Sequence, residues 1–367
     1  MIDFIPIHNY TYYFDIAILC MILVAVWQCH TGNILQKNIV NLNAIWGIIF
    51  ISLLIPYMGL RPISIAFGDT VNYAHLFEII KNSKDTWELT SSKGEWFFSG
   101  LQYWFAKNSD IHSFFLLCAT IYIIPLWLAM IRLFKNYYYI PFLIALSAFT
   151  FWDYGVNGVR NGMAASLVIL ALTYVNKWPI MLLLCGIAIG IHKSLLLIVV
   201  AGILGWYYKN TAIYVVGWIF SIGFSAIFGT RVSNLLLNLG LIQDDRFVEY
   251  LTSTEQMYQF SYTGFRWDFL LYSTLPIAIG YFFIFKRHFK DEYYSWIYNI
   301  YLIANAFWII VIRAEFSNRF AQISWFIMPL VLIYPFMKQR FWNNHEKYLG
   351  IAILIFYAYT FFTAFIK

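Results

Sequence analysis

The chain has 367 residues, of which 61% are hydrophobic and only 11% are charged. A soluble domain carries about 25% charged residues, so this composition excludes an ordinary water-soluble protein. The net charge of +6 does not indicate nucleic-acid binding, because in so apolar a chain the placement of Lys and Arg in loops matters more than their sum.

Hydrophobic runs recur along the whole chain, and runs of about 18 residues are typical of transmembrane helices. They predict an all-α, polytopic transmembrane bundle of about twelve spans. We expect a single integral membrane domain over residues 1–367. The predicted spans are 10–28, 41–60, 111–132, 138–155, 160–176, 178–192, 194–208, 212–229, 267–285, 294–312, 320–336 and 348–366.

Basic residues on alternate short connections predict the orientation of these spans. The positive-inside rule places such connections in the cytoplasm. The chain termini and two long loops, 61–110 and 230–266, then face outward. The basic connections contain Lys135, Lys209, residues 286–288 and residues 338–340.

Arginine follows a different pattern from lysine. Seven of the ten arginines fall on the predicted outward side, which the orientation rule depletes of positive charge. The planar guanidinium binds phosphate or carboxylate with two parallel hydrogen bonds, so the set predicts an anion-binding outer cavity. For any one of them, snorkelling or an ion pair with a nearby acid is the alternative. These arginines are Arg61, Arg160, Arg231, Arg246, Arg266, Arg313 and Arg319.

The first long loop contains two predicted amphipathic helices at the membrane interface. Residues 69–81 begin with Asp69 or Thr70 as the N-cap. Residues 95–106, EWFFSGLQYWFA, are too aromatic to lie in bulk water and predict an interfacial helix.

A tight outward turn over residues 154–162 precedes the span that begins near Arg160. Arg160 and Asn161 lie at the N-terminal end of that helix, where unpaired N–H groups and the helix dipole favour an anion. We predict that these two residues and Asn157 contact a negatively charged ligand. A structural ion pair between Arg160 and Asp153 is the alternative.

Three residues are candidates for proton transfer: His192, Asp69 and Glu95. A histidine at a span boundary can accept a proton near neutral pH. Each has a structural alternative, namely a satisfied histidine, a plain N-cap and a solvated helix-start charge. Tyr73 shares a helix face with Asp69 and is a candidate substrate contact. The candidate set also includes Arg266, Arg313 and Arg319. Asp268 lies two residues after Arg266, and Glu315 could form an ion pair with Arg319.

Several short motifs lie between about residues 59 and 200. They are Arg61 with Gly68-Asp69-x-x-x-Tyr73, Glu95, Arg160-Asn161-Gly162-x-Ala164, and Ile191-His192-x-Ser194. Together with the hydrophobic architecture of most of the chain, these motifs resemble the EpsG-type membrane proteins, which are similar to the Wzy polymerases of O-antigen, capsule and exopolysaccharide assembly.

The resemblance implies a multi-pass enzyme at the outer face of the bacterial inner membrane. Such an enzyme transfers a polysaccharide chain from undecaprenyl pyrophosphate to a new lipid-linked repeat unit, without a nucleotide sugar, a cofactor or an obligatory metal. The implied partners are the undecaprenyl-pyrophosphate-linked oligosaccharide, membrane lipid and a chain-length regulator, and not nucleic acid. His192, Asp69 or Glu95 would supply the base, and the arginines would bind the pyrophosphate.

Three other functions stay open at this point. A glycosyltransferase that uses a polyprenyl-phosphate sugar tends to carry an acidic pair early in its first outer loop, whereas Asp69 and Glu95 are well separated here. A membrane acyltransferase would use His192 as its base. A lipid-linked sugar flippase or transporter commonly places ionisable groups near the midplane of the membrane.

Overall fold

The computed structural model shows a chain built from helices and the turns that join them. It describes residues 4–83, 95–238, 265–313 and 318–365, together with Ile2. None of these residues belongs to a β-strand, which confirms the all-α prediction. The side chains at positions 230, 232–238, 318 and 363–365 are outside the description.

Sixteen α-helices lie in the described ranges, joined by short turns of 3-10 helix and one turn of π-helix. In chain order they are α1 (Tyr10–His30), α2 (Lys37–Gly59), α3 (Thr70–Asn82), α4 (Trp96–Asn108), α5 (Ile111–Phe134), α6 (Tyr139–Leu146), α7 (Phe149–Val156), α8 (Val159–Leu172), α9 (Trp178–Ile191), α10 (Leu196–Tyr207), α11 (Thr211–Asn238), α12 (Trp267–Tyr281), α13 (Glu292–Ile310), α14 (Asn318–Trp325), α15 (Met328–Lys338) and α16 (His345–Phe365).

The helices form two compact units. The first comprises Met1–Val199 with Ile333–Lys367, and the second is Val200–Leu332. A single membrane domain over the whole chain stays a prediction. Most of the predicted outer loop 230–266 lies outside the described residues, Arg246 included, and its first part instead continues α11 to Asn238.

The number of spans differs from the sequence-based prediction. Among the described residues, six helices are long and apolar enough to cross a membrane, or seven if the bent pair α6 and α7 counts as one span. The predicted number of about twelve is therefore not confirmed. Several predicted spans are too short: α8 has 14 residues, and such a helix is about 21 Å long, less than the hydrocarbon core of a bilayer.

The helices of the first unit run in alternate directions, so their termini collect at opposite ends. At one end, the start of α1 meets the end of α2, where the rings of Tyr10 and Tyr57 stack with centroids 4.9 Å apart. Tyr10 also packs in a buried cluster with Phe67 and with Val156 at the end of α7. We call this end, which also includes the start of α8 at Arg160, the site end.

The opposite end of the first unit carries lysines, and we call it the lysine end. There Gln28 of α1 and Asn43 of α2 exchange amide hydrogen bonds of 3.1 and 2.8 Å. Arg132 of α5 donates to the hydroxyl of Thr173 at 2.9 Å, and Lys338 of α15 donates to the carbonyl of Leu133 at 2.6 Å. Buried amides that satisfy each other fix the pairing of the helices without leaving a polar group unpaired in the membrane.

Glycine at position 162 lets α5, α7 and α8 pack closely. A Cβ added at Gly162 would lie 2.6 Å from the carbonyl oxygen of Tyr154 and 3.1 Å from the ring of Tyr122. Backbones approach this closely only where the side chain is absent. The short helix α8 is thereby held between its neighbours, with Arg160 at its first turn.

Candidate active site

Arg61 fixes the loop that leads from α2 to α3. Its guanidinium donates to the carbonyl oxygens of Met58 and Val156 and to the hydroxyl of Thr70, at 2.6, 2.9 and 2.8 Å. The residue is only 1% exposed. Burial lowers the pKa of Arg61 to about 10, which leaves the side chain cationic near neutral pH. Three neutral oxygens accept hydrogen bonds from this buried cation. In the described residues its Nε has no hydrogen-bond partner and no carboxylate is bound to it.

Gly68 and Asn157 attach the same loop to the turn between α7 and α8. Gly68 has a φ of +58°, in the region that favours glycine, and a Cβ there would collide with the Asn157 side chain. The Asn157 amide oxygen accepts from the backbone N–H of Asp69 at 2.9 Å, and its amide nitrogen donates to Asp153 at 3.0 Å. Helix α3 therefore starts at a position set by Asn157.

Helix α3 carries Tyr73 to the centre of the site end, and α4 packs beside it. Gln102 of α4 donates to the carbonyl oxygen of Tyr73 at 3.2 Å. Lys107 of α4 donates to the carbonyl oxygens of Ile80 and Ser83 at 2.7 and 2.6 Å, which satisfies the C-terminal carbonyls of α3. The two helices predicted for this loop are thus present and pack as a pair, and their position at the membrane interface stays a prediction.

Glu95 joins two distant parts of the chain. It immediately precedes α4 and is 7% exposed. One carboxylate oxygen forms an ion pair with Nη1 of Arg160, at the start of α8. The other lies 2.5 Å from Nδ1 of His192, which directly follows α9. A single buried carboxylate therefore holds both the cation and the imidazole in place.

Arg160 is bound on one side and open on the other. Its Nε donates to the hydroxyl of Tyr73 at 3.2 Å. The rings of Tyr73 and Phe98 each lie with their centroids 5.8 Å from the guanidinium carbon. The remaining nitrogen, Nη2, makes no hydrogen bond to any residue that the structure describes, and the side chain is 20% exposed. Two N–H donors of a fixed cation are thus available to a ligand.

The electrostatics of this cluster assign the protons. Burial alone would raise the pKa of Glu95, but the hydrogen bond to His192 and the charge of Arg160 outweigh it and lower the pKa to about 2. Glu95 is therefore ionised at neutral pH and can only accept hydrogen bonds. The shared hydrogen bond then requires a proton on Nδ1 of His192, so in the neutral ring Nε2 is the proton acceptor. The His192 side chain is 22% exposed.

The structure brings together some predicted site residues. Glu95, Arg160, His192 and Tyr73 form one connected group, which we call the Glu95 cluster. The ion pair of Arg160 with Glu95 replaces the alternative pair with Asp153. Next to Arg160, the amide oxygen of Asn161 is buried without a hydrogen-bond partner in the described residues.

Other predicted residues lie elsewhere or have other roles. Asp69 is the N-cap residue of α3, although its side chain makes no capping hydrogen bond. Arg61 is buried and donates to Met58, Val156 and Thr70, and its predicted contact with pyrophosphate stays a prediction. Glu315 lies outside the described residues.

Three further predicted arginines belong to the second unit. Arg266 forms hydrogen bonds of 2.9 and 2.6 Å to the carboxylate of Asp268, as the ion-pair alternative predicts. Arg313 lies 3.4 Å from the carbonyl oxygen of Ala226. Arg319 is half-buried.

Sequence reasoning did not identify every residue on which the site depends. Thr70 and Phe98 contact the two arginines of the site end, but a threonine at a helix start and a phenylalanine in an aromatic run carry no signal of their own. Gly68 did carry a signal, since a glycine before a helix N-cap indicates a turn. No group of three or more His, Cys, Asp or Glu residues in the described ranges is arranged to hold a metal ion.

The fold and this cluster define a helical membrane protein whose polar centre contains an oriented imidazole beside a partly open guanidinium. The family model described as the EpsG family matches residues 43–367. The chain therefore belongs to the EpsG family, which is associated with membrane polysaccharide polymerases. Neither curated proteins nor solved structures gave a match to this chain.

Proposed function

We propose that this protein is a Wzy-type glycosyltransferase that polymerises undecaprenyl-pyrophosphate-linked repeat units into polysaccharide, without a metal. The observation that carries the proposal is the Glu95 cluster. A base oriented by a carboxylate and a cation with open donors are the groups that a transfer from a diphosphate requires. In this cluster they are adjacent, because both are bound to Glu95.

His192 is the proposed general base. A hydroxyl of the incoming repeat unit attacks C1 of the donor's reducing-end sugar, and its proton passes to Nε2 of His192. The Nδ1–H bond to Glu95 keeps the acceptor nitrogen directed away from that carboxylate and stabilises the imidazolium that forms. Asp69, which lies one helical turn before Tyr73 in α3, is the second candidate for this role.

Arg160 is the proposed electrophilic group. As the new glycosidic bond forms, the bond between C1 and the pyrophosphate oxygen breaks, and the electron pair leaves with undecaprenyl pyrophosphate. The open Nη2 donors of Arg160 neutralise the charge that grows on this leaving group. Asn157 and Asn161 stay in the proposal as further contacts of the substrate, with Tyr73 acting through Arg160. Substrate contacts by Arg61, Arg266, Arg313 and Arg319 stay predictions from the sequence.

The location of the cluster supports a reaction on the outer face of the inner membrane. In the first unit the cluster lies at the site end, and Lys135 and Lys338 lie near the opposite end. The positive-inside rule assigns such a lysine-bearing end to the cytoplasm. The chain termini are then outward, as the sequence predicts.

Purified protein tests this proposal directly. We expect it to convert lipid-linked single repeat units, isolated from a strain that lacks the gene, into a ladder of longer lipid-linked chains, with release of undecaprenyl pyrophosphate. Movement of the lipid-linked unit across vesicles without elongation would indicate a flippase. Elongation only with a polyprenyl-monophosphate sugar would indicate the other class of glycosyltransferase.

A further inference from the structure

Trp96 is an exposed aromatic residue next to the Glu95 cluster. It follows Glu95 directly as the first residue of α4, and it is 57% exposed. Neither the base nor the pyrophosphate contact proposed above makes use of it. A large exposed indole beside the proposed reactive centre needs a physical explanation, because burial of its apolar surface would be favourable.

The position of the indole is set by a glycine of α9. A Cβ added at Gly190 would lie 2.8 Å from Cε2 and 2.9 Å from Nε1 of Trp96. The indole therefore packs directly on the helix backbone, two residues before His192. The ring of Phe97 contacts Trp96 edge to face, with centroids 5.5 Å apart. These contacts hold the ring in one place while more than half of its surface stays open.

We propose that Trp96 is a platform on which a sugar ring of the lipid-linked oligosaccharide stacks, one residue from Glu95 and beside His192. The C–H face of a pyranose is apolar and packs on an aromatic face, while its hydroxyls need donors and acceptors at the rim. The indole N–H supplies such a donor, since it makes no hydrogen bond to a described residue. This inference rests on the proposed function, because it names the part of the substrate that this site binds.

Trp104 provides an internal control. It lies in the same helix, it is also 57% exposed, and it contacts Phe105 edge to face with centroids 4.9 Å apart. A tryptophan that only anchors α4 in the membrane interface would behave like Trp104. A sugar platform, by contrast, requires a position beside His192, which only Trp96 of the two occupies.

The first test compares the two tryptophans in the elongation assay with the isolated lipid-linked repeat unit. We expect Trp96→Ala to raise KM about fivefold to tenfold, Trp96→Phe to raise it less, and Trp104→Ala to leave it unchanged. Folded protein is quantified by size-exclusion chromatography for each variant. Equal effects of Trp96→Ala and Trp104→Ala would overturn the platform and indicate a membrane anchor.

The second test moves the indole without removing it. Gly190→Ala places a methyl group where the indole lies, whereas a Cβ at Gly186 in the same helix meets nothing within 4 Å. Alanine also favours a helix at both positions. We expect Gly190→Ala to raise KM as Trp96→Ala does, and Gly186→Ala to match the wild type. No difference between the two glycine variants would contradict the role of the indole position.

A binding measurement separates this inference from the proposed function. The measurement is the ¹⁹F NMR spectrum of protein that contains 5-fluorotryptophan. The resonance that Trp96→Phe removes belongs to Trp96, and the resonance that Trp104→Phe removes belongs to Trp104, the control. We expect the lipid-linked repeat unit to shift the Trp96 resonance and not that of Trp104. A shift without elongation by the wild type would uphold the platform and refute the polymerase, and elongation without a shift would do the reverse.

Discussion

The two compact units each contain a polar cluster, and the two clusters differ in what they leave unsatisfied. In the second unit, Asn305 of α13 is fully buried. It donates to the hydroxyls of Ser273 and Ser324 at 3.0 and 2.9 Å and accepts from the indole of Trp218 at 2.8 Å. The Glu95 cluster, by contrast, is partly exposed and has open donors on Arg160.

This difference separates a polar group that is complete within the protein from one that has donors left for a ligand. Around Asn305 every donor and acceptor of the amide has a protein partner that lies on another helix, so the network links α11, α12, α13 and α14 and needs no ligand. In the Glu95 cluster, charged groups are held in fixed positions, and hydrogen-bond donors of Arg160 are left without a partner in the described residues. Such an arrangement can bind a charged substrate. The predictions below alter each cluster in turn.

Replacing His192 should produce the largest effect. His192→Ala removes the proposed base, and we expect the rate of elongation to fall about 10³-fold, within the range for general-base catalysis. The thermal stability should fall only in part, because Glu95 loses its hydrogen bond from His192 but keeps its ion pair with Arg160. The measurement is the initial rate of chain growth on lipid-linked repeat units. His75→Ala, which removes an exposed histidine of α3, is the control, and an equal loss there would refute the assignment.

Arg160 should come next. Arg160→Gln removes the cation that the pyrophosphate would contact, and we expect the rate of elongation to fall on the order of 10²-fold. In cells that depend on this protein, single-repeat products should replace long chains. Arg132→Gln is a matched control, because Arg132 also donates to a hydroxyl and packs over a tyrosine ring, but at the lysine end. Normal chain lengths in cells with a normal level of the Arg160 variant would contradict the mechanism.

The sequence predicts the helical fold well, but it predicts poorly where each membrane-spanning helix begins and ends. Composition and run length are enough for an all-helical membrane protein, and the helix starts at Thr70 and Trp96 follow from local signals. The predicted number of about twelve spans is not confirmed, because hydropathy does not show where a helix ends. The apolar segment that contains Ser147 bends by 71° between α6 and α7, and no charged residue marks that bend.

The site was predicted as a set of residues and not as an arrangement. Arg160 was chosen because the positive-inside rule leaves few arginines on the outward side. His192 was chosen because it lies between two apolar runs. Their connection through Glu95 was not predictable, because 65 and 97 residues separate that carboxylate from its two partners. For the same reason the partners of Arg61, two carbonyl groups and the hydroxyl of Thr70, were not predictable, because only folding brings them close.

Glu95 should also control stability at acid pH. Its pKa in the folded protein, about 2, lies below the ordinary value of 4.5, so ionised Glu95 stabilises the fold fully above pH 4.5. That contribution, on the order of 3 kcal/mol, is lost as the pH falls from 4.5 through 2. We expect the Tm of the wild type to drop over this pH range. The Tm of Glu95→Gln should be lower than that of the wild type at neutral pH, and it should change less as the pH falls.

An exposed ion pair provides the control for this measurement. Glu292 pairs with Lys209 in the second unit, and its side chain is 87% exposed. Such a pair contributes little because solvent screens it. Glu292→Gln should therefore keep the acid-induced drop in Tm of the wild type. If the Tm of the wild type fell no more steeply with decreasing pH than the Tm of Glu95→Gln, Arg160 and His192 would not stabilise the ionised form of Glu95.

The smallest effect should come from the closed cluster. Asn305→Leu leaves the indole N–H of Trp218 buried without its acceptor, and polar contacts between membrane helices contribute about 1 kcal/mol. We expect Tm to fall by a few degrees with the rate of elongation per folded molecule unchanged. Asn299, also in α13 and 1% exposed, has an amide oxygen without a partner in the described residues. Asn299→Leu should therefore cost nothing or raise Tm, because it removes an unsatisfied group. If Asn299→Leu destabilised the protein as much as Asn305→Leu, the hydrogen bonds of the amide would not explain the difference between the two positions.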